Sequence, residues 1–220
     1  MVELYLELSS YGVYLSVLLS IIGIVAYRKL GPAMKVFSIY LIVSGAFELV
    51  TFALSMKQQN NLQWLHLYTL LELILLSSFF HCVFMRMKLK YPIKTVTGII
   101  LILCVLNSIL LQPLHSFNSY AASLVSLTLI VYCILTFYHL LDRDDAEYKM
   151  IRWIVSGLLL YQMTSFIVMA FSNILSQFDI EVDAIVWLIR LIIMLITKAL
   201  FGYIILVAAF SSRKQIYNRG

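Results

Sequence analysis

The chain has 220 residues, of which 62% are hydrophobic and only 12% charged, and its mean hydropathy is +0.95. Soluble domains keep their apolar share nearer half, so this composition excludes an ordinary water-soluble fold and points to a bilayer. The net charge of +5 is carried by Lys and Arg in alternate connections, which indicates membrane topology and contact with anionic headgroups rather than nucleic-acid binding.

Seven segments have the length and apolarity of membrane helices: residues 11–27, 35–56, 63–85, 93–112, 118–140, 150–174 and 184–211. Each is near or above the roughly 20 residues needed to cross about 30 Å of hydrocarbon. The expected fold is therefore all-α, a single seven-transmembrane-helix bundle over residues 1–220. Arg28, Lys29 and Lys35 lie in the first connection, Arg86, Lys88, Lys90 and Lys94 in the third, and Arg143, Lys149 and Arg152 in the fifth. Arg213, Lys214 and Arg219 follow the last span, whereas the alternate connections hold Lys57 alone. That bias predicts the N-terminus outside and the C-terminus in the cytoplasm, in a bacterial inner membrane. The N-terminus lacks a basic n-region, so no cleavable signal peptide is expected. Cys82, Cys104 and Cys133 stand singly within spans and read as small buried apolar residues, with no metal or cofactor implied.

Span one ends on Tyr27-Arg28-Lys29, an aromatic and basic interfacial anchor, and Gly31-Pro32 makes the turn. In span two Tyr40, Ser44, Glu48, Thr51 and Ser55 form a polar stripe at helical spacing, with Glu48 about 4 Å from the midpoint. Glu48 reads either as a hydrogen-bonding residue between helices or as a charged pocket residue. In span three Trp64, Tyr68 and Glu72 recur at i, i+4 and i+8, an aromatic ladder descending to a carboxylate. The ladder suits both an entry path and plain interfacial anchoring. His66 lies about 120° from Glu72 on the helix, so the two form no chelating pair.

Span four is the least polar. Span five carries Ser119, Ser123 and Ser126, small residues that let helices approach. The acidic inner loop from Asp142 to Glu147 reads as a solvated turn or a docking point. Span six brings Tyr161, Gln162 and Ser165 toward the midplane. In span seven Asp183, Trp187, Arg190, Met194, Lys198 and Phe201 share one stripe. A Lys deep in a bilayer is costly unless it is paired or faces a polar cavity, so Lys198 must point inward. Charges within the spans come out even, Glu48 and Glu72 against Arg190 and Lys198. The expected site is a central polar cluster of these four with Gln162, Tyr68 and Tyr161, pairing directly or around a ligand.

Spans one to three and five to seven echo each other: Ile42-Val43-Ser44-Gly45 against Ile154-Val155-Ser156-Gly157, and Trp64-Leu65 against Trp187-Leu188. Such an echo fits a 3+1+3 arrangement of parallel repeats, as in SWEET-type and PQ-loop transporters, although no Pro-Gln pair sits in a span. Two stretches, His66-Leu67-Tyr68-Thr69-Leu70-Leu71-Glu72 and Trp153-Ile154-Val155-Ser156-Gly157 followed by Tyr161, resemble an uncharacterised family of seven-span membrane proteins of Bacteroidetes-type bacteria. The resemblance implies topology and location and no activity.

The sequence favours a non-enzymatic, small-molecule-binding sensor or receptor subunit that signals to a cytoplasmic partner or within a homo-oligomer. A small secondary transporter is the alternative. A retinal protein is a weaker fit, because Met194 stands one turn before Lys198 where an Asp is expected. A lipid-modifying intramembrane enzyme is weaker too: no GxSxG or HExxH is present.

Overall fold

A computed structural model describes residues 2–175 and 177–217, with side chains over 3–175 and 177–210. The side chains of Arg213 and Lys214, and the whole of Arg219, lie outside the described residues. Seven helices follow in order: α1 (Val2–Ala26), α2 (Pro32–Met56), α3 (Leu62–Arg86), α4 (Ile93–Leu110), α5 (Ser119–Leu140), α6 (Ala146–Leu175) and α7 (Ile180–Tyr217). All seven are long and apolar enough to cross a membrane, and no strand occurs among the described residues.

The helix ends follow local chemistry. Pro32 opens α2 at its first position, where the missing N–H is no loss. The α2 and α3 helices close on left-handed residues, Gln58 (φ 55°) and Lys88 (φ 60°). The next amides turn back, Gln59 N to Leu54 O at 3.0 Å and Leu89 N to Phe84 O at 2.9 Å, so orphan carbonyls are capped. Helix α1 starts nine residues before the span read from hydropathy, because Glu3 and Glu7 lower the hydropathy without breaking the helix. Helix α6 likewise starts early, with Glu147 in its first turn, where a carboxylate suits the helix dipole.

Six helices close a ring in which α1 packs on α2, α2 on α3, α3 on α5, α5 on α6, α6 on α7 and α7 on α1. Helix α4 lies outside the ring against α3 and α5. The ring is apolar outside, and within its largely apolar core it keeps the charged and polar side chains of the spans. Tyr14, Ile24, Ile102, Ile109, Trp153 and Tyr203 are exposed, while Ser16, Ser44, Glu72, Gln162 and Lys198 are buried. An exposed apolar face with inward-facing polar groups is what a hydrocarbon surround selects.

The echoed Ser-Gly pairs serve different seams. A Cβ on Gly45 would come 2.5 Å from the Ser16 carbonyl oxygen on α1, whereas one on Gly157 would come 2.8 Å from the Phe201 ring on α7. Both glycines allow close helix approach, toward α1 in one half and α7 in the other.

The two ends of the bundle differ. Toward the α1–α2 turn the interior is filled by Phe37, Phe79, Phe80, Phe84 and Phe201, with Phe37 and Phe201 rings edge to face at 5.1 Å. Glu147, expected in a solvated acidic turn, instead holds Arg86 of α3 through both oxygens at 2.6 and 2.7 Å. Arg86 and Arg143 both lie over the Tyr148 ring, at 5.7 and 5.1 Å.

Candidate functional site

At the end bearing the N-terminus the ring encloses a cavity of about 730 Å³, walled by all six ring helices and not by α4. Tyr5, Asn61, Phe117 and Asp183 stand at its mouth, and Glu48, Tyr68, Glu72, Tyr161, Gln162 and Arg190 line its depth. Its volume falls within the ~300–1,000 Å³ common for small-molecule sites.

Lys198 is not on this wall. It lines a separate void of about 20 Å³ beneath, between Tyr40, Ser44, Thr197 and Phe201. Its Nζ meets Glu48 Oε1 at 2.5 Å and Ser16 Oγ at 2.6 Å. Ser16 in turn donates to the second Glu48 oxygen at 2.6 Å. The three residues close a triangle between α1, α2 and α7 in which each charge meets an opposite charge and a hydroxyl. Such completeness is the condition for an ion pair to survive away from water. Glu48 faces the cavity above and the void below.

The remaining charges do not pair. Among the described residues Arg190 has no carboxylate within ion-pair distance, and Glu72 has no cation. Arg190 reaches only hydroxyls, Nε to Ser165 Oγ at 3.3 Å and Nη2 to Tyr161 OH at 3.4 Å. Its guanidinium lies between the rings of Trp187 (5.6 Å) and Tyr161 (5.8 Å). The indole is oriented by Asp183, whose Oδ1 accepts from Trp187 Nε1 at 3.1 Å. Glu72 Oε1 accepts from Gln162 Nε2 at 3.0 Å, joining α3 to α6. The expected cluster of four charges is thus one closed pair at the floor and two separate charges on the cavity wall.

The aromatic ladder is interleaved. Phe47 of α2 stands between Trp64 and Tyr68, with ring centroids at 6.1 and 5.8 Å, and the Tyr68 hydroxyl meets Ser44 Oγ at 3.1 Å. His66 turns away from the cavity. Its Nδ1 meets Ser108 Oγ at 2.8 Å and its Nε2 meets the Ser116 carbonyl at 3.1 Å, so both ring nitrogens tie α3 to α4 and the following loop. No group of three His, Cys, Asp or Glu gathers as metal ligands among the described residues.

The site also takes in Ser16, Ser165 and Phe47, which the central cluster expected from the sequence does not include. Ser16 stands out as a polar residue of span one, but nothing in the sequence sets it against Glu48 and Lys198 rather than Ser9, Ser10 or Ser20 of the same helix. The Asp183, Trp187, Arg190 spacing was readable; what each side chain binds was not.

Fold and cavity together define a multipass helical membrane protein with a cavity whose largely apolar wall carries Glu48, Glu72, Asp183 and Arg190. No family model, curated protein or solved structure matches the chain.

Proposed function

We propose that the chain is a ligand-binding receptor subunit of the bacterial inner membrane, its cavity facing outward and its basic loops facing a cytoplasmic partner. One observation carries this reading: the cavity has a mouth at one end, and its floor is closed by the Ser16–Glu48–Lys198 triangle above the phenylalanine-filled half. A closed floor converts ligand binding into small helix shifts, and α1, α2 and α7, which meet at the triangle, are the helices such a shift would move. The orientation rests on the Lys and Arg bias of alternate loops.

The test is access. Met194 lines both the deep cavity and the void. A membrane-impermeant thiol reagent should label Met194→Cys in intact spheroplasts, above the background of the three native cysteines, and fail to label it in inverted vesicles. Labelling from both sides would mean that the floor opens. The protein would then be a transporter, the second reading, with the Glu48–Lys198 pair as its inner gate.

A further inference from the structure

Resting on that ligand-binding reading, we infer that the cavity takes an amphiphilic organic anion, an acidic group on an apolar body, with the acidic group received by Arg190. A guanidinium carries five N–H donors. Arg190 spends one on Ser165 and one on Tyr161, both at long range, so both Nη1 hydrogens and one Nη2 hydrogen have no acceptor among the described residues. No carboxylate on the cavity wall is in ion-pair contact with Arg190: Glu48 pairs with Lys198 and Ser16, Asp183 accepts from Trp187, and Glu72, which interacts with Arg190 only at longer range, accepts from the Gln162 amide.

A guanidinium with no carboxylate in direct contact inside a bilayer span is costly, and its planar fork fits a carboxylate or phosphate in bidentate fashion. Trp187 and Tyr161 flank that fork with their rings, at 5.6 and 5.8 Å. Phe47, Leu65, Phe117, Leu191 and Met194 supply apolar wall for the rest of the ligand. Lys198 takes no part, since its amine is already neutralised below the floor.

The probe is labelled octanoate, compared with octanol and octylammonium, on the full chain in phosphatidylcholine nanodiscs with empty nanodiscs subtracted. Octanoate should bind saturably and about tenfold or more tightly than octanol, because one charged hydrogen-bonded contact is worth that much. Arg190→Gln should weaken octanoate by about the same factor and leave octanol unchanged, and Arg190→Lys should fall between, since it keeps the charge and loses the fork. If the Gln variant does not reconstitute, the Lys variant and the wild-type octanoate-to-octanol ratio decide.

Equal binding of octanoate and octanol, tighter binding of octylammonium, or octanoate binding indifferent to both variants overturns the inference. Ala122→Trp puts an indole into part of the cavity and separates the two claims. Octanol binding that is saturable and weakened in this variant, with no preference for octanoate, keeps the cavity and sinks the anion; no saturable binding of any probe sinks both. Adding phosphatidylglycerol identifies the source: suppression of octanoate binding assigns the site to an anionic lipid of the leaflet, and unchanged binding assigns it to a water-soluble acid.

Discussion

Glu48 and Lys198 stand 150 residues apart in sequence and 2.5 Å apart in space, and the Ser16 hydroxyl joins them into one closed unit. Breaking such a pair leaves one charge stranded, which costs about 3–5 kcal/mol for a fully buried pair and less here, where Glu48 is 25% exposed toward the cavity. Glu48→Gln and Lys198→Met should each lower the thermal midpoint in detergent sharply. The double variant should recover most of the loss, because neither charge then remains. A double variant as unstable as the sum of the singles would show that the two residues do not act as a pair.

Ser16→Ala keeps the charges and removes the hydroxyl that bridges them. Lys198 then loses an acceptor and Glu48 a donor, which costs about 1–3 kcal/mol by the penalty for an unmet buried polar group. Ser16→Thr restores the hydroxyl and should recover part of that stability. Equal thermal midpoints for wild type and Ser16→Ala would remove Ser16 from the floor.

The close approach that makes the triangle possible depends on Gly45. A Cβ there would lie 2.1 Å from Ser20 Oγ and 2.5 Å from the Ser16 backbone oxygen, and only the Ser20 side chain is free to turn aside. Gly45→Ala must push α1 from α2, costing about 1–3 kcal/mol as overpacked cores do. By contrast Gly98, with nothing within 4 Å, should accept Ala without loss. Melting curves of the two variants side by side test the contrast.

Much of the fold was legible because a bilayer imposes two coarse rules, apolar length and inward-facing charge. The seven spans and the inward stripe from Asp183 to Phe201 follow from those rules. Pairing does not follow, because it depends on which helices become neighbours. The even count of Glu48 and Glu72 against Arg190 and Lys198 leaves direct pairing and pairing around a ligand both open, and one direct pair forms. Ser16 comes from a helix with no charge near its middle, and its role required α1 to lie between α2 and α7. Glu147 was misread for a similar reason: within a run of acids in sequence, it alone lies within reach of Arg86 on another helix.

The Arg86–Glu147 contact, at the end of the bundle opposite the cavity, behaves differently from the floor pair. Its side chains are 44% and 26% exposed, so water and salt screen it despite the bidentate geometry. Glu147→Gln should cost only about 0.5–1 kcal/mol, and less at high salt. Glu48→Gln should show a weaker salt dependence, since Lys198 is only 11% exposed although Glu48, at 25%, meets the cavity. Thermal midpoints of both variants at low and at molar salt give the comparison. A salt-insensitive loss in Glu147→Gln would place that pair in a drier setting than its exposure implies.

Glu72 and Gln162 offer a sharper test of the cavity wall. Gln162 is 1% exposed and Glu72 9%, and the amide donates to the carboxyl at 3.0 Å across α3 and α6. Gln162→Leu removes this donor and leaves the Glu72 carboxyl with only the Tyr40 hydroxyl beside it, at about 1–3 kcal/mol. Glu72→Leu in the same chain removes the stranded group as well, and apolar replacement of both partners is close to neutral. Glu72→Gln keeps an amide-to-amide hydrogen bond and should change stability little. The expected order of thermal midpoints is therefore wild type and Glu72→Gln highest, the double Leu variant close below, and Gln162→Leu lowest. Should Gln162→Leu melt with the wild type, water in the cavity already serves Glu72, and the wall there is wetter than a single hydrogen bond implies.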